Sequence, residues 1–230
     1  MIKSVATFFR LMRTGWVLIR HDSLVPVEYA PLVPWPVRIV GGISRIFSIG
    51  NRKGNAGERF ANALEDLGPA YIKFGQILST RGDMFDPEFA EGLSRLKDKV
   101  PPFPMEKAEA MMAQEWGVPW KTHLKSLSEP IAAASVAQVH KGVLHSGETV
   151  AVKVLRPNIV RRMTRDMDVI QLVANLAHKA VPSLRRLRPK DFVKEARRAV
   201  MLELDLRLEA AAQSELTEVS EETKLFRVPT

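Results

Sequence analysis

Ile131-Ala-Ala-Ala-Ser-Val-Ala-Gln-Val-His140, followed after a turn by Thr149-Val-Ala-Val-Lys-Val-Leu155, decides the fold. The two apolar runs read as β-strands joined by His145-Ser-Gly-Glu148, a short glycine-containing turn. Alternation along the second strand puts Val150, Val152 and Val154 on one face and Ala151 and Lys153 on the other. A lone lysine on the less apolar face of a strand is ordinarily solvated. Here a run of small residues, Ala132-Ala-Ala-Ser135, leads into the first strand. A phosphate cradled there would lie within reach of the Lys153 ammonium, which suits the α- and β-phosphates of a nucleotide.

Loops that cradle phosphates usually use glycine, because glycine reaches φ > 0 without steric cost and lets backbone N–H groups approach the ligand. Alanine does not do so cheaply. An Ala132–Ser135 cradle is therefore expected to be stiffer than a glycine loop and to hold phosphates differently. The same run also has the composition of an ordinary small-residue turn or helix.

Working outward, residues 158–180 read as a helix broken by Pro182, and Pro189 starts a long helix expected to reach about Val219. That helix carries Leu202-Glu-Leu-Asp-Leu-Arg-Leu-Glu209, where Asp205 and Glu209 at i, i+4 would share a face. One acidic residue there is needed to pair with the strand lysine and orient it; most helix carboxylates are simply solvated. Phe226–Thr230 reads as the start of a further strand.

Toward the N-terminus, helices are expected at Met105–Trp116, after the cap Asp86-Pro87, through Tyr71–Leu78, and up to a stop at Gly68-Pro69. Lys73 and Gln76, flanking Gly75, project from one face of their helix and by themselves suggest only a surface. Asn51–Gly57 is a polar break, and Pro26, Pro31, Pro34 and Pro36 make residues 24–36 an extended strap. Residues 2–20 form an amphipathic helix, with Ile2, Val5, Phe9, Met12, Trp16 and Ile19 on one face and Lys3, Arg10, Arg13 and Arg20 on an adjoining stripe. Such a helix lies in a membrane interface or packs on a core with its arginines solvated.

The 230 residues are 46% apolar with a net charge of +8 and no cysteine, which describes a folded chain with an anionic partner or a basic surface and excludes disulfides. The five histidines lack metal-ligand spacing, so no metal site is expected within the chain. No aromatic-interleaved basic patch supports nucleic-acid binding, and neither a membrane-spanning run nor a signal peptide is visible.

Loop, strand, turn, strand and lysine form the layout of a protein-kinase nucleotide lobe. With the remaining pieces the chain resembles the UbiB family of atypical kinase-like proteins of ubiquinone biosynthesis. Lys73-Phe-Gly-Gln76 resembles its KxGQ motif and Ala132-Ala-Ala-Ser135 its alanine-rich loop. Val150-Ala-Val-Lys153 resembles its nucleotide-lysine strand, and Glu203-Leu-Asp205 with Glu209 its ExD motif and helix glutamate. Ala137 departs from the glycine common there.

The resemblance implies an α+β fold: a kinase-like N-lobe with a small antiparallel sheet, preceded by a helical N-terminal extension. The corresponding division is 1–54 as a membrane-leaning arm and proline-rich linker, 55–120 as the helical KxGQ extension, and 121–230 as the lobe. It implies that ATP is the ligand, that Lys153 contacts its phosphates and pairs with Glu209, and that Ala132, Ala133, Ala134 and Ser135 cradle them. The KxGQ helix would fold over the site, with Lys73 held by Glu203 or Asp205 and Gln76 reaching inward. Further implied are a peripheral position on the cytoplasmic face of a bacterial inner membrane, reached through residues 2–20, and lipid-like quinone precursors or ubiquinone-pathway enzymes as partners. No string resembling the catalytic loop or the metal-binding DFG aspartate occurs in the chain. Mg²⁺ is accordingly expected only with a C-lobe, and the chain by itself is expected to bind nucleotide weakly without phosphoryl transfer. The alternative is a non-catalytic module that binds a membrane or a partner enzyme.

Overall fold

The computed structural model describes residues 2–48, 53–83, 85–96 and 100–224, with the side chains of residues 2–4 excepted. The chain forms two compact units, residues 1–98 with 161–198 and residues 99–160 with 199–230.

The first unit is helical. α1 (Ile2–Arg20) is held by its polar side. Thr14 and Tyr71 share a hydroxyl hydrogen bond of 2.7 Å, Arg13 donates to the Asp66 carbonyl at 2.9 Å, and Arg10 pairs with Asp166. Burial pushes the Asp166 carboxyl up, against the pull of Arg10 and Arg162. The expected apolar face is the outer one: Val5, Phe9, Met12 and Trp16 are exposed, as is Phe8 beside them.

The strap expected at 24–36 is instead ordered as a 3₁₀ turn, Val27–Leu32, and the start of a helix, α2 (Trp35–Ser44). Pro34 is the N-cap and Pro36 lies in the first turn, where a missing N–H costs no intrahelical bond, so the prolines start this helix instead of preventing it. α3 (Ala56–Leu67) is capped by Asn55, which accepts from the Glu58 N–H at 2.8 Å. Gly68, at φ 108°, makes the turn into α4 (Pro69–Ser79). α5 (Pro87–Ser94) is capped by Asp86, whose carboxylate also takes the Tyr29 hydroxyl and is held below its usual range, mainly by that bond.

α3 and α5 touch through glycine. A Cβ on Gly92 would lie 2.5 Å from the Gly57 carbonyl carbon, and one on Gly57 would strike the Phe89 backbone. α7 (Ile159–Ala180) and α8 (Pro189–Glu203) belong mostly to this unit.

The second unit holds α6 (Met105–Trp116) and a three-stranded antiparallel sheet in sequential order: β1 (Leu124–Ala133), β2 (Ala137–Leu144) and β3 (Thr149–Leu155). This is the α+β, kinase-like lobe expected from the sequence. Ala108 and Met112 of α6 pack with Val154, walled by Phe103, Leu127 and Val152.

Two local expectations change. The β segment begins at Leu124, ahead of the stretch near residue 130 where strand character becomes readable. β1 carries register irregularities on either side of Pro130, and these erase the two-residue alternation that marks a strand. The long helix from Pro189 is interrupted after Glu203, and α9 (Leu206–Thr223) starts anew with Asp205 as its N-cap. The Asp205 side chain accepts from the Arg207 N–H at 3.2 Å, the local bond that lets an aspartate compete with helix continuation. Asp205 therefore lies before the helix, and it does not share a helix face with Glu209. Among the described residues no helix is long and apolar enough to cross a membrane. The strand expected at Phe226–Thr230 lies outside the described residues.

Candidate functional site

Lys153 lies near the middle of β3, directly opposite Val139 of β2, which is in turn opposite Ala132 of β1. Residues directly opposite in antiparallel strands share a face. Ala132, Val139 and Lys153 thus form one row across the sheet, spanning about 10 Å at the usual strand spacing. The other face carries the inward residues Gln138, His140 and Val154, all buried. Burial along β3 alternates as the sequence suggests, with Ala151 and Lys153 outward.

The Lys153 ammonium donates to Glu209 Oε2 at 2.7 Å. Glu209 sits in the first turn of α9, so the helix break at Asp205 sets where this carboxylate begins its turn. With side chains 38% and 58% exposed, the pair contributes little to stability, about 0–1 kcal/mol. What it does is orient the ammonium on the open face of the sheet.

The alanine loop closes the β1–β2 hairpin. Ala134 N–H donates to the Ala137 carbonyl at 2.8 Å, and no residue of Ala132–Ser135 has positive φ. The bend is thus made wholly in conformations an alanine accepts. Ala132 is exposed, Ala133 and Ala134 are half-buried and Ser135 is fully buried, so the Ser135 hydroxyl does not face solvent. The Ala134 carbonyl accepts from the Arg156 guanidinium at 2.9 Å. Sequence reasoning used Arg156 only as part of a strand stop; a cation just past the lysine strand was the available signal.

Lys73 is half-buried on α4; Gln76, on the same helix, donates to the Leu96 carbonyl at 3.3 Å. Gly75 between them is buried, and a Cβ there would meet the ends of Leu64 and Leu96. Gly75 therefore has a packing reason. Glu203 ends α8 and is exposed. Asp205 is gripped by Arg207 through bonds of 2.9 and 3.0 Å, which hold its carboxyl below the usual range. Among the described residues no cluster of three or more metal-ligating side chains occurs.

The family model for the ABC1 atypical kinase-like domain matches residues 95–230. Proteins named "Probable protein kinase UbiB" are similar along nearly the whole chain. The one from Marinobacter nauticus is 38% identical over 223 residues, covering 96% of this chain and 40% of the relative. The Pseudomonas aeruginosa protein is 40% identical over 225 residues, 96% of this chain and 42% of the relative. The Vibrio cholerae protein is 37% identical over 212 residues, 90% and 38%. The chain thus spans about two fifths of the length of these relatives. By a family match covering more than half of its residues, and by its similarity to the UbiB proteins, the chain belongs to the ABC1 atypical kinase-like family.

Proposed function

We propose that the chain supplies the nucleotide-binding lobe of a UbiB-like atypical kinase or ATPase that supports ubiquinone biosynthesis at a membrane. The observation that carries this reading is the row Ala132, Val139 and Lys153 on one face of the sheet, with Glu209 2.7 Å from the lysine. An ammonium oriented by a carboxylate beside a small-residue turn suits the α- and β-phosphates of ATP. Lys153 binds them, Glu209 orients Lys153, and the Ala132–Ser135 backbone lines the approach. Mg²⁺ and the nucleophile would be handled by residues outside this chain. Ligand binding to the folded state raises its stability by mass action. ATP should therefore raise the melting midpoint of the chain progressively with concentration, and by more than adenosine does at equal concentration. A midpoint indifferent to ATP would contradict the reading.

The KxGQ helix acts as a lid in this proposal, with Lys73 and Gln76 as its working residues. In the longer protein, Lys73→Ala should change ATP affinity or turnover by about tenfold, the order expected for one charged contact. Unchanged values for both would remove the lid.

The same proposal puts residues 2–20 on the cytoplasmic face of the inner membrane, near quinone precursors or enzymes of their pathway. Support comes from the inverted arrangement of α1. Its polar residues are bonded inside its own unit, while Phe9 and Trp16, 67% and 51% exposed, face outward. α2 adds Trp35, Ile39 and Ile43, also exposed, and Phe47 lies 6.1 Å from Trp16, ring to ring. Contiguous exposed apolar patches of this kind mark interaction surfaces. The double variant Phe9→Glu/Trp16→Glu should weaken sedimentation with phosphatidylglycerol vesicles by at least about tenfold, with melting unchanged. Equal sedimentation would overturn the membrane assignment. Vesicle binding in a chain indifferent to ATP would favour the rival reading, a non-catalytic membrane or partner module.

A further inference from the structure

Arg156 follows β3 and makes contacts toward both the alanine loop and the segment that leads into α6. Toward the alanine loop, its main-chain N–H donates to the Val136 carbonyl at 2.9 Å and its Nε to the Ala134 carbonyl at 2.9 Å. Toward the segment that leads into α6, Nη2 donates to the carbonyls of Pro101 at 2.8 Å and Val100 at 3.2 Å. The guanidinium also lies over the Phe103 ring, 5.6 Å from its centroid. One side chain therefore ties the hairpin tip to Val100–Phe103.

A second tie comes from inside the sheet. The Gln138 side chain accepts from the Phe103 N–H at 2.9 Å and donates to the Phe103 carbonyl at 3.3 Å. It also meets His140 Nε2 at 3.0 Å, and His140 Nδ1 donates to the Ser128 carbonyl at 2.8 Å. That last bond makes Nε2 the accepting nitrogen, so Gln138 donates to it. The loop and the 100–103 segment are thus fixed from both sides.

The consequence falls on one peptide. In a trans peptide the carbonyl and the following N–H point in opposite directions. Holding the Ala134 carbonyl on Arg156 therefore holds the Ser135 N–H turned away from it and blocks a flip of that plane. Glycine loops owe their adaptability to such flips. Here residue type and the guanidinium both oppose them. Arginine suits the role because its planar fork serves several acceptors at once in fixed directions, whereas a lysine ammonium is a single point charge.

We propose that Arg156 is a positioning residue for nucleotide binding, fixing the Ala134–Ser135 peptide against Val100–Phe103 so that the alanine loop meets a phosphate in one backbone arrangement. This rests on the reading of Ala132–Ser135 as the phosphate cradle. The test is calorimetric titration of the chain with ATP and with adenosine, in wild type, Arg156→Ala, Arg156→Lys and Lys153→Ala, together with amide exchange of residues 133–137 without ligand. Arg156→Ala should weaken ATP about tenfold, the loss expected when hydrogen bonds from a charged group are removed. Adenosine affinity should stay constant, and the loop amides should exchange about tenfold faster while the β2–β3 pairing keeps its protection. Arg156→Lys should fail to restore ATP affinity despite keeping the charge. If Lys153→Ala weakens ATP while Arg156→Ala, or Arg156→Lys where the alanine variant does not fold, binds it like wild type, the positioning role is overturned and the nucleotide reading stands. A wild-type chain that does not distinguish ATP from adenosine overturns both.

Discussion

Lys153→Ala should weaken ATP binding by about ten- to a hundredfold, the range for removing one charge-assisted bond to phosphate. Adenosine, which has no phosphate, should bind the variant as it binds wild type. The fold should not suffer, because the Lys153–Glu209 pair is exposed and contributes little to stability. Val150, Val152 and Val154, which fill the inward face of β3, are untouched. Titration calorimetry of both ligands, with a melting curve as control, reads all three expectations. In the longer protein the same change should abolish ATP turnover, since a nucleotide whose α- and β-phosphates are not held is not aligned for transfer. Glu209→Gln should give a smaller loss: the amide still reaches the ammonium but no longer fixes it by charge. ATP affinity equal in wild type and Lys153→Ala would remove this lysine from the site.

Gly92→Ala should be strongly destabilising among the helical glycine substitutions. The added Cβ would lie 2.5 Å from both the Glu58 nitrogen and the Gly57 carbonyl carbon, and these backbone atoms cannot turn aside. α3 and α5 must move apart, at about 3 kcal/mol for overpacking of this kind. For a chain of this size that lowers the melting midpoint by roughly 6–12 °C. Gly75→Ala meets only the flexible ends of Leu64 and Leu96 and should cost about 1 kcal/mol or less. At Gly42 of α2 nothing lies within 4 Å of the new Cβ, so alanine there should stabilise by up to about 1 kcal/mol through helix propensity. Thermal melting of the three variants gives the order directly. A Gly92→Ala protein as stable as wild type would mean that α3 and α5 do not cross at these glycines.

The elements with strong local punctuation were legible in the sequence. Gly68-Pro69 and Asp86-Pro87 announce helix boundaries by chain stiffness and capping, and α3, α4 and α5 begin or end there. The valines of β3 alternate cleanly, which places Lys153 on the opposite face. What was not legible depended on tertiary geometry or on competition between local bonds. Pro130 and its bulges hide β1 from a two-residue pattern. The break at Asp205 turns on one side chain bonding the Arg207 N–H, an alternative that helix propensity does not rank. Gly57 and Gly92 look like helix-weakening residues until their partner helix is seen. Arg156 reads as the last residue of a strand, and its role depends on carbonyls 22 and 55 residues away. Within α1 the apolar face was plain from spacing, but not that Arg10 and Arg13 would be used to hold the helix down.

The central claim is that the face bearing Ala132, Val139 and Lys153 receives the phosphates of a nucleotide. The measurement that tests it most directly is an ATP titration of the isotopically labelled chain followed by backbone amide resonances. The account predicts shifts that saturate and concentrate on residues 132–139 and 151–153, that are absent with adenosine in the loop, and that need about ten- to a hundredfold more ATP to develop in Lys153→Ala. Shifts confined to the arginines of α1 and α7, or none at any ATP concentration, would contradict it.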